Sequence, residues 1–243
     1  MTTKPPTTKQ IEHWQGRLDA LTQFDLAQLK QNKTIDAIIG VDEVGRGSLI
    51  GPVVAAAACF PVSVLKKPKN LLGLDDSKAS FHTHESRVLL SKEIQKQTTW
   101  AITEATQDEV ETLNIHQASL LASKRAILSV LAQLNPSKCK HILILMDGRH
   151  TLKALEFDDF KLTQAAIVKG DGKSASIASA SILAKANRDQ WVLNLFKSDE
   201  GLTRYGWQTN MGYATPSHRA AIEAHGPTYY HRKTFQLKTR VEK

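Results

Sequence analysis

The chain has 243 residues, enough for one sizeable α/β domain with a small appendage and a full core. Its longest weakly polar run, 51–62, is too short to cross a bilayer, and residues 1–10 are polar with no apolar signal segment; a cytoplasmic protein without membrane contact is expected. The formal charge of +8 is uneven, since residues 204–243 hold seven Lys/Arg against two acids, as suits a protein that grips a polyanion at its edges.

Residues 1–9 are expected to be disordered. Ile11, Trp14, Leu18 and Leu21 recur at helical spacing and predict one or two amphipathic helices over 10–31. Strands are expected at about 35–42 and 51–60. The second strand carries Cys59, which with Cys139 makes only two cysteines and reads as a buried free thiol in a reducing compartment. A polar loop over 66–82 contains Asp75-Asp76-Ser77-Lys78. A helix at 84–97, a strand at 98–105 and a long helix at 114–134 follow, the last stopped by Asn135-Pro136. Residues 141–146 form a buried strand ending in Asp147-Gly148, and 165–168 a short strand leading into Lys169-Gly170-Asp171-Gly172-Lys173-Ser174. The helix expected at 175–196 opens with a small-residue surface, from Ala175 and Ser176 to Ser181, which permits close approach to a sheet. The last 40 residues read as loop-rich, with a helix near 216–225.

The most informative stretch is Gly40-Val41-Asp42-Glu43-Val44-Gly45-Arg46-Gly47, where an apolar run ends in two adjacent carboxylates. Carboxylates at the end of a buried strand are costly unless a cation compensates them, and a hard divalent ion with oxygen ligands is the usual one. Taken alone, such a pair is more often a solvated turn. Here acids stand at three strand ends, Asp42-Glu43, Asp147 and Asp171, and in an α/β sheet such ends converge on one crevice able to hold one or two divalent ions. Two nucleotide-binding readings fail. The Gly-x-Gly after the first strand lacks its third glycine at position 50, which is Ile50, and Gly172-Lys173-Ser174 lacks the glycine of a phosphate loop at position 167, which is Ile167.

These segments together resemble bacterial ribonuclease HII. The likeness runs from Gly40 to Gly47 through Asp76-Ser77-Lys78, Met146-Asp147-Gly148, residues 169–174, Ala180-Ser181-Ile182-Leu183-Ala184-Lys185, Arg188-Asp189, Gly212-Tyr213-Ala214-Thr215 and His231-Arg232-Lys233-Thr234-Phe235. It implies an α/β, RNase H-like fold: a mixed five-stranded sheet flanked by helices, with a C-terminal helical region. The implied activity is endonucleolytic hydrolysis of RNA paired to DNA, and of single ribonucleotides embedded in duplex DNA, leaving 3′-hydroxyl and 5′-phosphate ends. By resemblance Asp42, Glu43, Asp147 and Asp171 bind Mn²⁺ or Mg²⁺. Gly45, Arg46 and Gly47 recognise the ribose 2′-hydroxyl, Tyr213 stacks on the following deoxyribose, and Ser77, Lys78, Lys173 and Ser174 contact substrate. The related HIII class usually carries threonine where Arg46 stands. The chain departs from the pattern at Gly172, Ala175 and Ala79, the last putting one phosphate contact in question.

The expected organisation is an N-terminal extension over 1–34 with no assigned chemistry, a catalytic domain over 35–236 and a basic tail over 237–243, acting as a monomer. His231-Arg232-Lys233 is expected either to grip phosphate or to lock the core. A catalytically silent nucleic-acid-binding module is the main competing reading; a mere binder gains nothing from four acids facing phosphate. A junction-resolving nuclease of related fold is disfavoured by the Gly-Arg-Gly block and Tyr213.

Overall fold

The computed structural model describes residues 7–68, 70–74 and 83–235. Ser77 and Lys78, the tail 237–243 and most of the stretch expected to be disordered lie outside the described residues. Within them the first helix, α1 (Thr8–Gln31), is a single element that starts at Thr7, whose side chain accepts from the Gln10 N–H in a capping box.

Strand β1 (Ala37–Val44) follows, then β2 (Val53–Cys59), the short helix α2 (Val62–Lys66), α3 (His84–Gln97) and β3 (Thr99–Ala105). Helix α4 (Gln107–Leu113) is separated from α5 (Ile115–Leu131) by Asn114, whose side chain accepts from the His116 and Gln117 N–H groups. The expected helix also begins at Asn114, whereas α4 before it was not expected from the sequence. Strands β4 (His141–Asp147) and β5 (Lys161–Ile167), then α6 (Ala175–Ser198), α7 (Trp207–Asn210) and α8 (Pro216–His225), complete the chain. Among the described residues no helix is long and apolar enough to cross a membrane.

The five strands form one mixed sheet in the order β3-β2-β1-β4-β5. The pairs β1–β2 and β2–β3 are antiparallel, whereas β1–β4 and β4–β5 are parallel. Strand β2 is buried along its whole length and shows how the sheet divides two cores. Val54, Ala56 and Ala58 face the layer of α1, α3 and α6, and Ala57 and Cys59 face α5.

The run of alanines and serines lets α6 lie close to the centre of the sheet. At Gly40 of β1 an added Cβ would stand 2.1 Å from the Ser176 carbonyl carbon and 2.3 Å from the Ile177 nitrogen. Only glycine fits there, one residue before the strand delivers Val41 and Asp42. A third cluster, around the fully buried Trp207, packs α7, α8 and the 3₁₀ segment Glu200–Tyr205 against Leu49 and Ile50. It anchors the C-terminal helical region to the loop that follows β1.

Candidate active site

In the parallel part of the sheet Val41 lies beside Met146, and Asp147 beside Ile167. The carboxyl ends of β1, β4 and β5 therefore open on one edge. They bring Asp42 and Glu43, then Asp147, then the 3₁₀ turn Gly170–Gly172 bearing Asp171 to the same crevice. Asp42 is 7% exposed and Asp171 6%. Burial first, and then the charges of Glu43, Asp147 and Asp171, push the Asp42 carboxyl well above the usual carboxylate range, with Ser181 of α6 hydrogen-bonding it in partial compensation.

Each acid accepts at least one hydrogen bond that orients it. Asp42 Oδ1 accepts from the Glu43 N–H at 2.8 Å, Asp147 Oδ1 from the Gly170 N–H at 2.6 Å and Asp171 Oδ1 from the Gly172 N–H at 3.0 Å. Glu43 Oε1 accepts from Arg46 Nη1 at 2.8 Å. Gly170 is wedged so tightly that a Cβ would lie 2.6 Å from Ile177 Cδ1 and 3.3 Å from Asp147 Oδ1.

Among the described residues no three Cys, His, Asp or Glu side chains are arranged so that they could hold a metal ion as they stand. The donor chemistry nevertheless fits a hard divalent cation. All four side chains offer carboxylate oxygen and stand at one sheet edge, the hard donor set of an ion that retains waters. Orientation of each carboxylate by a second hydrogen bond is a usual property of ligating acids.

Beside the acids lies the turn after β1. Gly45 has φ +90°, and a Cβ there would sit 2.5 Å from Arg188 Nε, so the turn is closed by glycine against a buried arginine. Arg46 is exposed, and around Gly47 there is open space. Leu49 N–H donates to the Gly212 carbonyl at 2.8 Å and Ser48 bridges Tyr213, which sets the half-buried Tyr213 against this turn. The Tyr213 ring lies 5.3 Å from the Arg188 guanidinium and 5.6 Å from Lys185 Nζ.

Two buried arginines hold the arrangement. Arg188 of α6 donates to Ser48 Oγ at 2.6 Å and to the Met211 carbonyl at 3.0 Å. Arg232, 3% exposed, donates to the carbonyls of Gly51, Ser48 and Pro52 at 2.8, 2.8 and 3.0 Å, and to that of Arg46 at 3.3 Å. Of the two roles expected for Arg232, locking the core is the one the structure shows.

Ser174 requires a correction. It is fully buried, its Oγ caps α6 by accepting from the Ile177 N–H at 3.2 Å, and it donates to Asp25 at 2.6 Å, so it cannot touch a substrate. Its neighbour Lys173 is exposed.

Behind Tyr213 lies a buried network that sequence reasoning missed. Thr228 N–H donates to His231 Nδ1 at 2.8 Å, which assigns the His231 proton to Nε2, facing His218 Nε2 at 3.2 Å. His218 Nε2 also accepts from Trp207 Nε1 at 2.9 Å, so its own proton sits on Nδ1 and is donated to the Tyr213 carbonyl at 2.9 Å. Both rings are kept neutral. Burial lowers the His218 proton affinity, and burial together with His218 pushes that of His231 down to about 4. Arg188 and His231 stand in segments that carry the family likeness, where only the core-lock alternative for His231-Arg232-Lys233 pointed to this role, and His218 carried no sequence signal.

Comparison with known proteins gives the same direction. Residues 39–238 match the family model described as Ribonuclease HII. A ribonuclease HII of Pelagibacter ubique is 46% identical over 198 residues, covering 82% of this chain and 95% of its own. The crystal structure of the ribonuclease H2 from Pyrococcus horikoshii superposes with a TM-score of 0.61 at 21% identity, over 82% of this chain and 94% of that one. The Bst ribonuclease HIII, solved in complex with Mn²⁺, superposes with a TM-score of 0.58 at 22% identity, over 78% and 63%.

Proposed function

We propose that this chain, which belongs to the ribonuclease HII family and has its RNase H-like fold and ribonuclease H activity, cuts RNA/DNA hybrids with the help of divalent metal ions, by the residues and on the substrates that follow. Asp42, Glu43, Asp147 and Asp171 hold the metal, Mn²⁺ or Mg²⁺. The observation that carries this reading is their delivery to one crevice by three parallel strand ends, with each carboxylate oriented by its own donor. An ion held there would supply an activated water and neutralise charge on the scissile phosphate.

The chain's own groups choose the bond. Gly45, Arg46 and Gly47 present backbone and guanidinium to the ribose 2′-hydroxyl, the group that separates RNA from DNA. Tyr213 offers its ring to the next sugar, set by Ser48 on one side and His218 on the other. Lys173 reaches backbone phosphate from the turn that carries Asp171. Residues 35–236 make the catalytic domain of a monomeric cytoplasmic enzyme of DNA replication and repair. Its substrates include duplex DNA holding a single ribonucleotide, cut to leave 3′-hydroxyl and 5′-phosphate ends.

The test is incubation of end-labelled duplexes with the protein and Mn²⁺ or Mg²⁺. The reading expects one incision at a lone ribonucleotide, none in the all-DNA control, and a product that a ligase or polymerase can use at its 3′ end. Cleavage of long hybrids with no incision at the lone ribonucleotide would refute the substrate assignment.

A further inference from the structure

Helix α1 lies wholly before the segment that matches the family, residues 39–238, and the sequence offered no chemistry for it. Its inner face carries Arg17, Leu21 and Asp25 at four-residue spacing, with Leu18 beside them. Leu18 and Leu21 are buried in one cluster with Ala175, Ala178 and Ile182 of α6.

The two charged residues reach the segment that carries Asp171. Asp25 is 0% exposed and has three donors. Ser174 Oγ donates to its Oδ1 at 2.6 Å, and Ser176 N–H and Oγ donate to its Oδ2 at 2.9 and 2.7 Å. Arg17 Nη2 donates to the Gly172 carbonyl at 3.2 Å. The chain just after Asp171 is thus held at Gly172 by Arg17 and at Ser174 and Ser176 by Asp25.

A buried acid with no cation beside it is an expensive way to fasten a helix; a leucine would do that better. Burial raises the Asp25 pKa to about 6 against the opposing pull of Ser174 and Ser176. What an acid adds is a rigid acceptor for the unsatisfied donors at the start of α6, where negative charge is also favoured by the helix dipole. With Ser174 so fixed, the Gly170–Gly172 turn is clamped between α6 and Asp147.

We propose that α1 is an intramolecular brace for the Asp171 turn, with Asp25 and Arg17 acting as positioning residues for the metal site. This rests on the reading of Asp171 as a metal ligand. The brace sets how closely Asp171 is held to the other three acids, and so the affinity for the ion, without touching ion or substrate.

The experiment measures Mn²⁺ binding by calorimetry without nucleic acid, together with kcat, KM and Tm, for wild type, Asp25→Asn, Arg17→Met and, as reference, Asp171→Asn. Asp25→Asn keeps the shape but replaces one acceptor oxygen by an NH₂ that faces donors. It should weaken Mn²⁺ binding by about tenfold, in line with other groups that orient a ligand. Its KM for duplex should stay within about twofold, and excess Mn²⁺ should restore kcat. Arg17→Met should shift Mn²⁺ affinity the same way by a smaller factor, and it carries the test if Asp25→Asn does not fold. Lowered Tm with wild-type Mn²⁺ affinity in the variants, while Asp171→Asn binds weakly, would overturn the brace. Wild-type Mn²⁺ affinity in Asp171→Asn would overturn the site assignment beneath it.

Discussion

Arg188 and Arg232 carry their charge in the interior, and what they hold there is the loop between β1 and β2. For Arg232 the partners are four backbone carbonyls, three of them in buried hydrogen bonds and the Arg46 carbonyl in a part-buried one. Arg232→Met should therefore lower stability by about 3 kcal/mol, since buried acceptors are left unpaired, which is a Tm drop of roughly 6–12 °C for a chain this size. The dependence of duplex affinity on salt should not change, because a buried guanidinium neutralises no phosphate. Exposed Lys233 should behave oppositely: Lys233→Gln leaves Tm in place and shallows the salt slope by about 0.9. Melting curves and a salt titration on both variants check this pair. Tyr213 is a third case. Tyr213→Ala should reduce cleavage at a lone ribonucleotide more than cleavage of a continuous RNA strand, because only the former depends on a single sugar contact. Equal losses on the two substrates would reduce Tyr213 to packing. Single residues of this kind are where sequence reading was weakest. Arg188 had no role that its sequence assigned, and the choice between phosphate grip and core lock for Arg232 is made only when the chain folds and brings its carbonyl partners together. Ser174 looked like a phosphate contact and is a buried helix cap.

Helix α6 is the element on which the site leans, and Gly40 is where it leans hardest. Gly40→Ala places a methyl within 2.4 Å of three backbone atoms of Ser176 and Ile177. Helix and strand must separate, at a cost of about 1–3 kcal/mol or more, and Asp42 and Asp171 separate with them. Activity per folded molecule, from circular dichroism and initial rates together, should fall more than the folded fraction does. The C-terminal helical region makes a different prediction, in pH. His231 titrates near 6.5 when unfolded and near 4 in the fold. Between those values the unfolded chain takes up a proton that the folded one refuses, so His231's contribution is whole above pH 6.5 and declines as pH falls toward 4. Asp25, raised to about 6 from 3.8, has the opposite sign, favouring the fold less as pH rises through that window. The informative quantity is thus the difference between proteins. Tm of His231→Gln should start lower at pH 7 and lose less between pH 7 and 4.5 than Tm of wild type. Parallel curves would mean that His231 is not the titrating group.

For the molecule as a whole, the order β3-β2-β1-β4-β5 is what brings the end of β1 beside those of β4 and β5, more than a hundred residues further on, to make one crevice. That much was legible, because apolar runs ending in acids are a local pattern and the rule that parallel strand ends share an edge is general. Helices α3 and α8 were also legible, expected at 84–97 and near 216–225 and found at His84–Gln97 and Pro216–His225. The brace of α1 on the Asp171 turn was not, since it consists of one carboxylate meeting two serines some 150 positions away. The central claim is that four carboxylates gathered by this topology make the metal site of a ribonuclease H. Single-turnover cleavage of a duplex holding one ribonucleotide, by wild type and by Asp42→Asn at several Mn²⁺ concentrations with duplex affinity measured alongside, tests it most directly. In Asp42→Asn the rate should fall roughly a thousandfold or more, about 4 kcal/mol of barrier, with duplex affinity largely intact. A near-wild-type rate in Asp42→Asn would contradict it.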